Sequence, residues 1–218
     1  LVYKCAICFG QDSTNKQAVI QSIEEQEEAL IELSDQIWAL AETAFEEQGS
    51  AELLAAYAEK QGFKVERGVA EMPTGFVAEF GEGRPIIGIL GEYDALPGLS
   101  QDVSPEKTPI EEGGAGHGCG HNLFGAGSLG AAVAIKELIA KGELSGTIRF
   151  YGTPAEEKYF GKLYMARAGM FDDLDVCLDW HPSSRIEADV QSSLALVDFV
   201  VEFRGQAAHA AGDPWNGR

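Results

Sequence analysis

Four short motifs carry the residue types of a metal site: GEYDALP (91–97), HGCGHN (117–122), TPAEE (153–157) and WHP (180–182). Together they supply a thiol, imidazoles and neighbouring carboxylates, the donors that transition metals take. Cys119 and His121 stand two residues apart in a Gly-rich loop. An extended backbone there presents both to one ion or to a close pair, and the flanking glycines permit tight turns. A helix opening directly after the loop adds positive potential, which is expected to lower the thiol pKa and favour the thiolate. The other reading of this loop is an anion-binding turn in which Cys and His are incidental. His117 is a further candidate, although three ligands from so short a loop would crowd one another.

Adjacent carboxylates such as Glu156 and Glu157 repel, and they are rarely buried together without a cation or a proton. Most such pairs are solvated loop residues. Beside a Cys/His pair they suggest a division of labour, in which one Glu binds metal and the other takes the proton of a metal-activated water, a task open to Glu156. His181 ends an apolar run. Alone it would read as a strand-end histidine bonded to backbone, but beside the other three motifs it is a credible further ligand. Asp94 is suited to orienting a ligand imidazole. Glu92 shares its loop with a less defined role, and Tyr93 between them reads as packing. His209, in GQAAHAAG, is flanked by small residues that leave room for close approach. Its alternative is a surface histidine on a turn.

Elements of an α/β domain must position these groups. Leu30, Leu33, Ile37, Leu40 and Ala44 recur at spacings of three and four, predicting an amphipathic helix of about 25 residues. A second helix is expected over Ser50–Gln61, stopping at Gly62. Short strands are expected at Phe63–Val69 and Phe76–Phe80, and the apolar run PIIGIL (85–90) reads as a strand buried on both faces. Residues 98–120 form a long loop, of a length that is usually functional. Asn122 is expected to cap a helix reaching about Lys141. A strand at Thr147–Tyr151, a helix at Lys162–Ala168 and a strand at Asp175–Trp180 follow. This alternation predicts a mostly parallel sheet flanked by helices. Three of the motifs then lie just past strand C-termini, the edge where open α/β sheets bind ligands. After Pro182 the pattern changes. Ser193–Arg204 alternates, with Val197, Phe199, Val201 and Phe203 on one face, as the first strand of a separate α+β unit.

Composition narrows the function. The 218 residues suffice for one substantial domain and the start of a second, and 35 Asp+Glu against 16 Lys+Arg give a formal charge of −19. That balance argues against nucleic acid and anionic membrane surfaces as partners. Much of the charge lies between Glu24 and Glu47, where it reads as a solvated helix face. No apolar stretch is read as reaching the roughly 20 residues of a membrane span. Residues 1–16 read as a leader or unstructured terminus containing Cys5 and Cys8. A cytoplasmic location is expected, with export as the alternative if residues 1–10 end a signal peptide. Cys177 reads as a small core residue.

Taken in order, GEYDALP, GHGCGHN, TPAEE, WHP and FRGQAAHAAGDPWNGR resemble the aminoacylase-like dinuclear metallopeptidases and amidohydrolases, in the aminobenzoyl-glutamate hydrolase-like branch. The resemblance runs from about Gln17 to Arg218. It implies a catalytic α/β domain over 17–187 that holds two divalent ions, zinc or manganese. It also implies an inserted lid and dimerisation domain, begun by 188–218. By motif, Cys119, His121, Glu157 and His181 would be ligands and Glu156 the general base and acid. Asp94 would be the acid beside the site. His209 would reach into the partner's crevice of a homodimer to polarise the scissile carbonyl. The implied reaction is hydrolysis of an amide in N-acyl amino acids, aminobenzoyl-glutamate-like amides or dipeptides. Two departures stand out. Many relatives carry Asp where this chain has Asn122, and the family takes a last ligand histidine from a C-terminal half that the 218 residues do not include. The isolated chain is therefore expected to be inactive. The rival readings are a non-catalytic metal- or peptide-binding homologue and a structural zinc at Cys119/His121.

Overall fold

The computed structural model describes residues 14–188, 195–197, 199–202, 204–206, 208–209 and 211–217. Its contacts divide the chain into Leu1–Ser183 and Ser184–Arg218.

The first unit is built on a five-stranded sheet. Its strands are β1 (Lys64–Arg67), β2 (Phe76–Glu82), β3 (Ile86–Gly91), β4 (Gly146–Gly152) and β5 (Val176–Leu178), in the order β1-β2-β4-β3-β5. β3 pairs in parallel with both β4 and β5, while β2 runs antiparallel to β1 and β4. The expected parallel character is therefore confined to β3, β4 and β5. These are the strands that end in motif loops.

The helices are α1 (Thr14–Leu40), α2 (Gln48–Lys60), α3 (His121–Ala140), α4 (Glu156–Tyr159) and α5 (Gly161–Arg167). The apolar stripe of α1 turns Leu33 and Ile37 inward, leaving them 5% and 0% exposed. They pack with Leu54 and Ala55 of α2, Leu129 and Val133 of α3, and Ile148 and Phe150 of the sheet in one core. Burying each large side chain contributes roughly 1.5–3 kcal/mol before entropy is counted. Tyr57 of α2 donates to Gln26 of α1 at 3.0 Å, which ties the two helices at a half-buried polar point.

Several expectations are corrected. Gly120, in the left-handed region at φ 77°, is the N-cap of α3, and Asn122 lies inside the helix. The Asn122 amide instead donates to Ser34 Oγ on α1 at 3.0 Å, so its polarity is used between helices. α3 is 20 residues long with a mean hydropathy of 1.5, long and apolar enough to cross a bilayer by composition. Its apolarity has a different cause: Leu129, Ala132 and Val133 are fully buried in the core with α1 and the sheet. Cys177 is exposed rather than in the core, because β5 forms the outer edge of the sheet. Glu47, at the end of the acidic stretch read as solvated, is fully buried.

In the second unit, residues 193, 194, 198 and 203 of the expected strand lie outside the described residues. Among the described residues there, none is in a strand. A short 3-10 turn at Pro214–Asn216 is present, and His209 is exposed, its Nδ1 accepting the Gly212 N–H at 2.9 Å.

Candidate metal centre

Parallel pairing puts the C-terminal ends of β3, β4 and β5 on one edge of the sheet. The loops beginning at Glu92, Thr153 and Asp179 therefore start side by side, and α3 enters the same edge with its N-terminus. Gly125 allows that entry to be close. A Cβ at this position would lie 2.7 Å from the Glu92 carbonyl oxygen, so only glycine lets α3 sit against the GEYDALP loop.

His121 is the centre of the cluster and is 0% exposed. Its Nδ1 lies 2.9 Å from Asp94 Oδ1 and 3.0 Å from the Asp94 carbonyl. Both partners are acceptors, so Nδ1 carries the proton, and Nε2 turns a lone pair into the crevice. Nε2 lies 2.8 Å from Glu92 Oε2 and 3.9 Å from both Glu156 Oε2 and Glu157 Oε1. Nε2 and Glu92 Oε2 are both buried without a hydrogen-bond partner, as is Glu157 Oε1. Burial opposes a charged His121 ring, but the Asp94 hydrogen bond and the surrounding carboxylates outweigh it and raise its pKa.

Asp94, 1% exposed, also accepts the Glu157 N–H through Oδ2 at 2.9 Å. One carboxylate thus fixes both the imidazole and the backbone of the Glu pair. Tyr93 is packing, as its position in the loop suggests. It is fully buried, and its hydroxyl donates to the Thr74 carbonyl at 2.6 Å. Glu156 is half-buried, and desolvation raises its carboxyl pKa, helped by Glu157 and Asp94 and opposed by His121 and His181.

His181 follows β5. Its ring centroid lies 5.5 Å from that of His121, nearly perpendicular to it, and its Nδ1 donates to the Pro182 carbonyl at 2.9 Å, leaving Nε2 free. The preceding Trp180 is fastened to α3. Its indole N–H donates to Ser128 Oγ at 2.9 Å and its ring meets Phe124 edge-on. Cys119, half-buried, completes a triad with His121 and His181 whose donor atoms lie within 4.8 Å of one another. Glu92, His121 and Glu156 form a second such triad. The thiol expectation is corrected: burial, the Glu157 carboxylate and further acids push the Cys119 pKa up to about 11, overriding the helix N-terminus. A dication would reverse that sign, since a coordinating thiol is deprotonated outright.

The donor set fits divalent cations. Three buried N and O atoms without partners face one another beside a thiol and a second imidazole, and such atoms are costly unless something compensates them. Of the sequence-derived residues, Cys119, His121, Glu156, Glu157, His181 and Asp94 meet in this crevice. His209 belongs to the other unit, and His117 turns away, its Nε2 donating to the Ile37 carbonyl at 3.1 Å. Sequence reasoning left Glu92 undefined and missed Lys162. The half-buried Lys162 ammonium bonds to the buried Glu92 Oε1, and desolvation brings its pKa down to about 8. Its position one turn beyond TPAEE was the only available signal.

The family model for peptidase family M20/M25/M40 matches residues 88–211, which contain every residue of this crevice. The chain belongs to that family. It is 46% identical to a p-aminobenzoyl-glutamate hydrolase subunit of Escherichia coli K12 over 198 residues, covering 90% of this chain and 41% of that protein. It is 34% identical to the human Xaa-Arg dipeptidase, covering 90% and 45%. The M20-family chain thus spans less than half the length of these relatives. Among solved structures, it resembles an aminohydrolase of methicillin-resistant Staphylococcus aureus with a TM-score of 0.64, 25% identity and coverage of 74% and 41%. It also resembles the YXEP protein of Bacillus subtilis, described as a dinuclear metal binding peptidase, with a TM-score of 0.57, 27% identity and coverage of 68% and 41%.

Proposed function

We propose that the protein hydrolyses an amide bond in a small acylated amino acid, an aminobenzoyl-glutamate-like amide or a dipeptide. The observation that carries this reading is the group of buried, unpartnered His121 Nε2, Glu157 Oε1 and Glu92 Oε2 at one sheet edge. Two divalent cations, zinc or manganese, would be held by Cys119, His121, Glu157 and His181, with Glu92 as an added donor. When bound, they supply polarisation of the scissile carbonyl and a lowered pKa for water.

The chain's own residues do the rest. Asp94 holds the His121 Nδ1 proton, so Nε2 stays available as a donor. Glu156 takes a proton from the attacking water as the C–O bond forms. It returns that proton to the leaving amine as the C–N bond breaks. His209 of a partner subunit would donate to the developing oxyanion, a contribution typically of about 3–4 kcal/mol. The support for substrate class is the similarity to an aminobenzoyl-glutamate hydrolase subunit and a dipeptidase. The support for two cations is the fit of the donors and the likeness to a dinuclear peptidase.

The test is metal analysis of the complete protein together with a panel of p-aminobenzoyl-glutamate, N-acyl amino acids and Xaa-Arg dipeptides. The expected result is about two cations per chain and turnover of at least one amide class. Glu156→Gln should retain the metal and lose about 10²-fold or more in kcat. Undiminished turnover in that variant refutes the role of Glu156.

A further inference from the structure

The segment between α1 and α2, AETAFEE (41–47), carries no functional signal in its sequence, yet it touches two of the motif loops. Thr43 bridges in parallel to Ala95, and the Ala95 N–H donates to the Glu42 carbonyl at 2.8 Å, so the segment runs along GEYDALP. Phe45 stacks on Tyr159 of α4 with ring centroids 5.2 Å apart and meets Tyr164 of α5 edge-on. Glu47, 0% exposed, places Oε1 2.8 Å from the backbone N of Ala155, which lies 108 residues further along the chain.

Ala155 is itself fully buried and sits in the left-handed region at φ 57°, ψ 35°. A residue with a Cβ adopts that conformation only when something holds it there. Glu156 and Glu157 follow it directly, so the Ala155 peptide sets where both carboxylates point. Glu157 is held a second time by Asp94 through its own N–H, whereas the Ala155 N–H has Glu47 as its acceptor.

We infer that Glu47 is a positioning residue: its carboxylate oxygen fixes the Ala155 N–H and thereby the left-handed turn that aims the Glu156–Glu157 pair. The role in turnover rests on the hydrolase reading above. The positioning itself does not, and it is read separately.

Three variants separate geometry from charge. Glu47→Gln keeps an acceptor oxygen at the same reach, Glu47→Asp keeps the carboxylate but withdraws it by one methylene, and Glu47→Ala removes it. Hydrogen exchange over residues 153–160 and zinc affinity by titration are measured on each complete protein, with kcat and KM well below the melting temperature. Glu47→Asp and Glu47→Ala should speed exchange at Ala155 and weaken zinc binding by about tenfold. They should lower kcat by about 10-fold or more with little change in KM. Glu47→Gln should stay close to the parent in all three readouts. If Glu47→Ala does not fold, the comparison of Gln with Asp still decides. Unchanged exchange in Glu47→Asp overturns the inference, as does an Asp variant that behaves like the parent while Gln is impaired. If the parent protein hydrolyses none of the amides, the exchange and zinc results still stand or fall on their own.

Discussion

The protein should lose stability as pH rises through neutrality, and one side chain should account for much of it. Burial pushes the Glu47 carboxyl up to about 7 from its usual 4.5, with Asp94 and Glu42 adding repulsion. Its own backbone amide and the Ala155 N–H pull the other way without prevailing. Tyr93 also faces it and feels the same negative field. A carboxyl whose pKa is higher in the folded than in the unfolded chain contributes stability that is complete below the unfolded value and lost as pH climbs through the folded one. With values of about 7 and 4.5, linkage gives a loss of about 2.5 kcal/mol between roughly pH 5 and pH 8. Glu47→Gln cannot titrate, so this loss should vanish from the variant. The assay is urea unfolding of parent and variant in parallel, with a chelator present, at about half-unit pH steps over that range. Other titrating groups such as His117 are common to both proteins and cancel in the difference. The stability of the variant relative to the parent should rise by about 2.5 kcal/mol from the acid to the alkaline end. A flat difference, or one of opposite slope, would refute the assignment of a buried, proton-retaining Glu47.

Other expectations bear on the crevice. Asp94→Asn leaves one acceptor oxygen where two are used, so His121 Nδ1 and the Glu157 N–H compete for it, and zinc binding should weaken by about 10–100-fold in titration calorimetry. Lys162→Met leaves the buried Glu92 carboxylate without its cation. It should cost about 3 kcal/mol in metal-free unfolding, with part of that recovered when zinc is added. Gly125→Ala puts a methyl 2.7 Å from the Glu92 carbonyl oxygen and 3.1 Å from Leu54. It should lower stability by about 1–3 kcal/mol in the same assay and shift zinc affinity with it.

The crevice was legible because the groups that build it are locally encoded. PIIGIL announces a buried strand by its unbroken apolarity, and the motif loops follow strand ends where side chains must leave the sheet. The alternation of elements located Asp94, Glu157 and His181 past strand ends on one edge before any distance was known, with His121 at the start of a helix. The illegible parts depend on partners far away in the chain. Glu47 follows the exposed Glu46 in an acidic run, and its burial depends on Ala155, 108 residues away in the chain. Asn122 looked like a cap because its type favours caps, but Ser34 on another helix claims its amide. The acid-rich surroundings of Cys119 come from Glu156, Glu157 and Asp94, so the local helix potential was a poor guide to its proton. Cys177 followed the strand pattern correctly into β5. Its exposure reflects where β5 lies in the sheet order, which no local pattern records.

β5 has three residues, too short to anchor the chain beyond it. Trp180 supplies the anchor instead: with its nitrogen on Ser128 and its ring on Phe124, it rivets the chain to α3. The same helix begins with His121. Both imidazoles are therefore referenced to one rigid rod, so breathing of the sheet margin would carry them together and leave their spacing intact.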